Sequence, residues 1–158
     1  MKLNGTAVFQ SSWAGQYVGH RGVNVVIVDL SNCTMHEWRN FDTYGDQTSG
    51  VRLRDYLQGL SIGTVLVVLS ADSPGRQLSG AFPTLSAFGA DVSDVGYRGG
   101  FAYAGIKGDP SKTVFDKRLT QQDAYDRQPY INVTYGRCDL LCQLSSHVYR
   151  CVHYAQSL

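Results

Sequence analysis

Residues 96–108 read Gly-Tyr-Arg-Gly-Gly-Phe-Ala-Tyr-Ala-Gly-Ile-Lys-Gly, five glycines in thirteen positions. Phe101 to Ile106 nevertheless alternates large apolar with small residues, the period-two pattern of a strand. Glycine weakens a strand used only for packing. Its purpose there is the close approach of another backbone or a positive φ. A fold for this chain therefore has to set a strand at 101–106 among close neighbours. Arg98 stands just outside that strand beside an aromatic residue, Tyr97. Its guanidinium either serves a ligand or ties down a loop, and spacing alone does not choose.

The segments on either side supply candidate neighbours. Val23–Leu30 is rich in β-branched residues and apolar on both faces, which predicts a central strand. Ser31-Asn32-Cys33-Thr34 suits a hairpin connection to a half-exposed antiparallel partner over Met35–Phe41. A helix is predicted over 50–59, with Ser49 as N-cap and Val51, Leu53, Tyr56, Leu57 and Leu60 at three- and four-residue spacing. Thr64–Leu69 is the strongest buried-strand signal and ends in a loop-forming run, Ser70-Ala71-Asp72-Ser73-Pro74-Gly75. A short helix near Pro83–Phe88 has proline in its first turn and Gly89 behind it. Thr6–Gln10 reads as a short strand, Asp109-Pro110-Ser111 as a break, Tyr130–Tyr135 as a last strand and 139–154 as helix. Polar residues 112–126 show no clear period.

Composition narrows the function classes. At 158 residues, 43% hydrophobic and 17% charged, the chain is expected to form one domain over 1–158 with a substantial core. A net charge of +1 with scattered Lys and Arg leaves no electrostatic footprint for nucleic acid or an anionic membrane. No segment approaches the roughly 20 apolar residues of a membrane helix, so no membrane insertion is expected. The first residues lack the apolar core of a signal peptide. Sequons at Asn4, Asn32 and Asn132 and four cysteines, Cys33, Cys138, Cys142 and Cys151, favour a secreted chain. Four cysteines allow three intramolecular pairings. Three of them fall within the last 21 residues, which reads as a stapled tail, with Cys138 and Cys142 at helical spacing.

Catalytic patterns are missing. The chain has no nucleophile elbow and no Walker loop, and its glycine-rich run lacks the dinucleotide spacing. His147 and His153, near Cys142 and Cys151, would not share a helix face, so no metal site is expected. Asp42 and Asp46, like Asp91 and Asp94, read as turn or cap carboxylates. No acid, base and electrophile come together, and the expectation is a protein that is not an enzyme and carries no cofactor.

The order of the motifs carries a resemblance. Gly22-Val23-Asn24-Val25-Val26-Ile27-Val28, Asn40-Phe41-Asp42-Thr43-Tyr44, Gly63-Thr64-Val65-Leu66-Val67-Val68 and the 96–108 stretch together resemble the GG domain, also called the interleukin-like EMT inducer (ILEI) domain. The similarity spans residues 8–115, and 116–158 forms a cysteine-bearing extension. Such domains occur in secreted cytokine-like proteins, in a cell-surface hyaluronan-associated protein and in the stem of protein O-mannose N-acetylglucosaminyltransferase. The resemblance implies an α+β fold, a compact sandwich of two antiparallel sheets with short flanking helices.

In the transferase stem the domain binds β-linked N-acetylglucosamine through two arginines and an aspartate. Matched motif by motif, those residues fall on Arg21, Asp72 and Arg98. Where the stem domain has Trp before and Asp after the second arginine, this chain has Tyr97 and Gly99. Such a triad suits a neutral sugar. Forked donors and a carboxylate acceptor engage hydroxyl and acetamide groups through charge-assisted hydrogen bonds, each worth roughly 1.5–3 kcal/mol. Tyr97, or Trp13 or Tyr103 if near, would stack on the ring's apolar face. The resemblance thus implies a small secreted lectin for N-acetylhexosamine-containing glycans, independent of metal. Since single shallow sites bind weakly, a homo-oligomer is expected. The alternative is a cytokine-like ligand for a receptor protein, although the cytokine-like members carry an N-terminal disulfide pattern that this chain lacks. An enzyme would need Asp91 or Asp94 to converge on Arg98.

Overall fold

The computed structural model describes residues 2–3, 6–7, 21–122, 129–135, 138–145 and 148–152. Two short strands, β1 (Lys2–Leu3) and β2 (Thr6–Ala7), pair antiparallel. Positions 8–10 of the expected first strand, and Trp13, lie outside the described residues.

The β-branched and glycine-rich segments form one antiparallel sheet. Its strands are β3 (Gly22–Asp29), β4 (Thr34–Phe41), β5 (Val65–Ala71), β6 (Gly100–Ile106) and β7 (Asp109–Arg118), in the order β4-β3-β5-β6-β7. β5 is apolar on both faces because both faces are covered. On one face Val25, Leu66, Val68 and Phe101 pack with Leu53 and Leu57 of helix α1 (Ser49–Gly59). Leu78 of a 3-10 helix (Arg76–Ala81) and Leu85 of α2 (Phe82–Ala87) complete that cluster. On the other face Val26, Val67, Leu69 and Ala104 pack with Ile131 and Tyr135 of β8 (Tyr130–Tyr135). Each fully buried aliphatic side chain contributes about 1.5–3 kcal/mol. The Tyr135 hydroxyl donates to the Lys112 carbonyl on β7 (2.6 Å). The fold is α+β, a five-stranded antiparallel sheet with two short α-helices.

β8 also pairs with β9 (Cys138–Ser145), which pairs with β10 (Val148–Val152), making a separate three-stranded sheet. This corrects the expected helix over 139–154, and Tyr130–Tyr135 is not the last strand. Leu140, Leu141, Leu144 and Val148 have spacing that fits a helix, but the β-branched and aromatic Val148–Val152 segment suits a ladder. Cys138 therefore does not staple a helix with Cys142. It forms a disulfide with Cys33 in the β3–β4 turn, 105 residues away. The expected break at Asp109-Pro110-Ser111 is instead the start of β7, an outer strand in which Pro110 needs no ladder N–H. Ser49 is the first helical residue of α1 and not its cap. The cap is Thr48, whose N–H and hydroxyl both donate to Asp46 (2.8 Å each).

Two glycines of the opening stretch are close approaches. A Cβ on Gly105 would lie 2.2 Å from the hydroxyl of Tyr103, and one on Gly99 would lie 2.5 Å from the Arg118 carbonyl. At Gly99 the neighbour is backbone, which cannot give way, and at Gly105 the buried Tyr103 side chain would have to move.

Candidate functional site

Strand register brings three separate segments to one end of the sheet. Gly22 pairs with Ala71, so Arg21 and Asp72 are the next residues outward on neighbouring strands. The Ser70 hydroxyl accepts from the Phe101 N–H (2.8 Å) and donates to its carbonyl (3.3 Å), which fixes the start of β6 beside the end of β5. Two residues before β6, Tyr97 and Arg98 occupy the middle of a turn closed by Gly99 N–H to Gly96 C=O (3.0 Å). Gly96 N–H in turn donates to Leu119 (2.7 Å). Arg21, Asp72 and Arg98 thus sit at the same end of three adjacent strands.

Their backbones are unusual. Among the described residues, the non-glycine positions with positive φ are Cys33 (55°), Asp72 (60°) and Arg98 (54°). Left-handed backbone costs an L-residue roughly 1–2 kcal/mol, and Asp tolerates it better than Arg. Strain of this kind persists where surrounding structure enforces it and gathers at functional sites. Both side chains are exposed. Neither has a hydrogen bond or ion pair with a described residue, although Arg98 lies over the Tyr97 ring (5.4 Å).

Arg21 is held differently. Its Nε and Nη2 donate to the two carboxylate oxygens of Asp42 (3.0 and 2.7 Å), and its guanidinium lies 4.7 Å from the centre of the Tyr44 ring. The Asp42 hydrogen bond, with smaller attractions from Asp72 and Tyr44, pushes Arg21 further above its usual value. Arg21 in turn holds the Asp42 carboxyl below its ordinary value, helped by the Gly45 N–H (2.9 Å). The pair is 43% and 36% exposed, so its role is orientation more than stability.

This decodes the Phe41-Asp42-Thr43-Tyr44 motif. Phe41 is buried in the core, Asp42 grips Arg21, and Tyr44 lies under the Arg21 guanidinium. The Thr43 hydroxyl donates to the Pro74 carbonyl, and its own carbonyl accepts from Gln77 N–H (3.1 Å), tying the loop after Asp72 to the loop after β4. Asp42 and Tyr44 are the residues that sequence reasoning passed over, having read Asp42 as a turn carboxylate. The signal was the motif itself, and the partner 21 positions away appears only once β3 and β4 are paired.

The stacking candidates separate cleanly. Tyr97 is 63% and Tyr44 46% exposed, whereas Tyr103 is fully buried and cannot meet a ligand. Asp91 accepts from the Ser93 N–H and hydroxyl (3.1 and 2.7 Å), and Asp94 pairs with Lys117 (2.5 Å). Among the described residues no His, Cys, Asp and Glu side chains cluster to hold a metal ion, and no helix is long and apolar enough to cross a membrane.

The family described as "Interleukin-like EMT inducer" matches residues 21–109, more than half of the chain. That match runs from Arg21 across the sheet to the start of β7. The "Cell migration-inducing and hyaluronan-binding protein" of Homo sapiens is 32% identical over 110 residues, which is 68% of this chain and 8% of the relative. The Mus musculus protein of the same name gives the same identity and coverage. This chain therefore spans less than a tenth of the length of either relative. On the extent of the family match, the chain belongs to the interleukin-like EMT inducer (ILEI) family.

Proposed function

We propose that this chain is a carbohydrate-binding protein that takes a neutral, β-linked N-acetylhexosamine, with N-acetylglucosamine the first choice, at the shared end of β3, β5 and β6. The observation that carries this reading is the pair Asp72 and Arg98. They are exposed, held in left-handed backbone, and without a hydrogen bond or ion pair to a described residue. A carboxylate and a guanidinium strained toward solvent supply an acceptor and a forked donor for hydroxyl and acetamide groups. Arg21, braced by Asp42, adds a second donor. The four charges cancel, which suits a neutral ligand better than a phosphate or sulfate. Tyr97 and Tyr44 offer partly exposed rings for the apolar face of the sugar.

Membership of a family with a hyaluronan-binding relative supports a glycan as the ligand class. The reading is of binding without catalysis, and the two carboxylates that would have to serve Arg98 are held by other partners, Asp94 by Lys117 and Asp91 by Ser93. The Cys33–Cys138 disulfide supports an extracellular setting. Weak single-site binding makes a homo-oligomer the expected working form, checked by light scattering. The three-stranded sheet is taken as the second layer of a two-sheet sandwich, with Ile131 and Tyr135 pointing inward.

A glycan array tests the reading. Binding to N-acetylglucosamine-terminated glycans should survive EDTA and fall at least tenfold in Asp72→Ala and Arg98→Ala proteins that remain folded. A blank array with folded protein contradicts it. The interleukin-like description of the family favours a second reading, a ligand for a receptor protein. That reading predicts saturable cell-surface binding that free N-acetylglucosamine does not compete.

A further inference from the structure

We propose that Asn32 is an N-glycosylation site and that its glycan projects from the end of the sheet opposite Arg21, Asp72 and Arg98. The proposal rests on the extracellular reading above but not on the sugar-binding one. Asn32-Cys33-Thr34 is an acceptor sequence, and such sequences are used where they lie on surface loops. Asn32 is exposed in the turn between β3 and β4. The Thr34 N–H and hydroxyl both donate to its Oδ1 (3.1 and 2.5 Å), so the amide and the hydroxyl that define the acceptor lie together on the turn. β3 runs from Gly22, beside the candidate sugar site, to Asp29, just before this turn. A glycan here leaves that site open. β4 is also an outer strand of the sheet among the described residues, and a bulky polar group at its start would hinder edge pairing with another chain.

The other two acceptors are placed differently. Asn132 lies within β8, paired with Leu141 in the ladder, and Asn4 lies outside the described residues. Cys33 sits inside the Asn32 acceptor and closes a disulfide with Cys138, 105 residues downstream. During vectorial synthesis the acceptor reaches the transferase before Cys138 does, so modification precedes closure of the turn. In the reaction Asn32 Nδ2 forms a bond to the anomeric carbon of an oligosaccharide carried on a lipid pyrophosphate. The anomeric carbon–oxygen bond breaks, the lipid pyrophosphate leaves, and the amide loses one proton.

The test expresses the full chain behind an added secretory leader in eukaryotic cells. Protein from the medium is treated with peptide N-glycosidase in heavy-oxygen water and mapped by mass spectrometry. Protein retained in cells is mapped in the same way from protease-protected microsomes, where the modification occurs. The proposal expects heavy aspartate at position 32, and loss of one glycan from the gel mobility of both Asn32→Gln and Thr34→Ala. Unlabelled Asn32 in either fraction overturns it. Recovery in the medium reports whether the chain folds in the secretory pathway, and glycan binding by the enzymatically deglycosylated protein reports on the sugar site.

Discussion

Lys107 and Arg98 come from the same glycine-rich segment and flank the same strand, β6, with opposite fates. Lys107 directs its ammonium at the carbonyls of Leu57 (3.0 Å), Gln58 (2.5 Å) and Leu60 (2.5 Å), at the C-terminal end of α1. All three donors are used, and the charge complements the helix dipole. Arg98, at the other end, has strained backbone and no polar partner among the described residues. The same contrast separates the two ends of the sheet. The Lys107 end also holds the Cys33–Cys138 disulfide, while the Arg98 end holds loops tied together beneath exposed Asp72, Arg21, Tyr97 and Tyr44. One end fastens the fold, and at the other Asp72 and Arg98 are exposed with no hydrogen bond or ion pair to a described residue.

Substitutions at the two ends should therefore behave oppositely. The largest effect is expected from the disulfide. Replacing Cys33 and Cys138 together by Ser removes a cross-link across 105 residues and should cost about 2–5 kcal/mol in urea unfolding, with sugar affinity intact in the folded fraction. Lys107→Met should lower stability by about 1–2 kcal/mol and again spare binding, because α1 loses its C-terminal donor. Loss of sugar affinity in a folded Lys107→Met protein would break the comparison.

Arg98→Gly should do the reverse. Relief of the left-handed backbone should raise stability by about 0.5–1 kcal/mol after allowing for the freer unfolded chain, while binding is lost. If the substitution destabilises, Arg98 is a fastening residue like Lys107. The smallest effect concerns pH. Asp42 is held below its ordinary carboxylate value, so its contribution is complete above the unfolded value and fades as pH falls through the folded one. The stability difference between wild type and Asp42→Asn should accordingly be largest near neutrality, no more than about 1 kcal/mol for so exposed a pair, and shrink in acid. A difference that grows in acid would contradict the Arg21–Asp42 assignment.

Much of the sheet was legible because Val65–Leu69 and Val25–Val28 are continuous β-branched and aliphatic runs, which need cover on both faces. Tyr103 shows the limit of that reading. Alternation identified its strand but not that helices would bury its face. Pro110 was misread because proline breaks inner strands but is tolerated at the sheet's edge, and edge position is a property of topology. The C-terminal strands were missed because their leucines satisfy helical spacing as well. At the site, Arg21, Asp72 and Arg98 were reached through family resemblance. Composition alone favours a surface cluster of charges that merely secures three loops. The grip of Asp42 on Arg21 spans two strands and becomes visible only with their register.

The most direct test is a pair of titrations with a β-linked N-acetylglucosamine oligomer, followed by amide NMR, on wild type and on Arg98→Gly. The account predicts saturable shifts in wild type confined to residues around Arg21, Asp42–Tyr44, Asp72 and Tyr97–Arg98. It predicts no shifts in an Arg98→Gly protein that unfolds at equal or higher denaturant concentration. Undiminished binding by that variant, or shifts centred on Lys107 and the Cys33 turn, would contradict it.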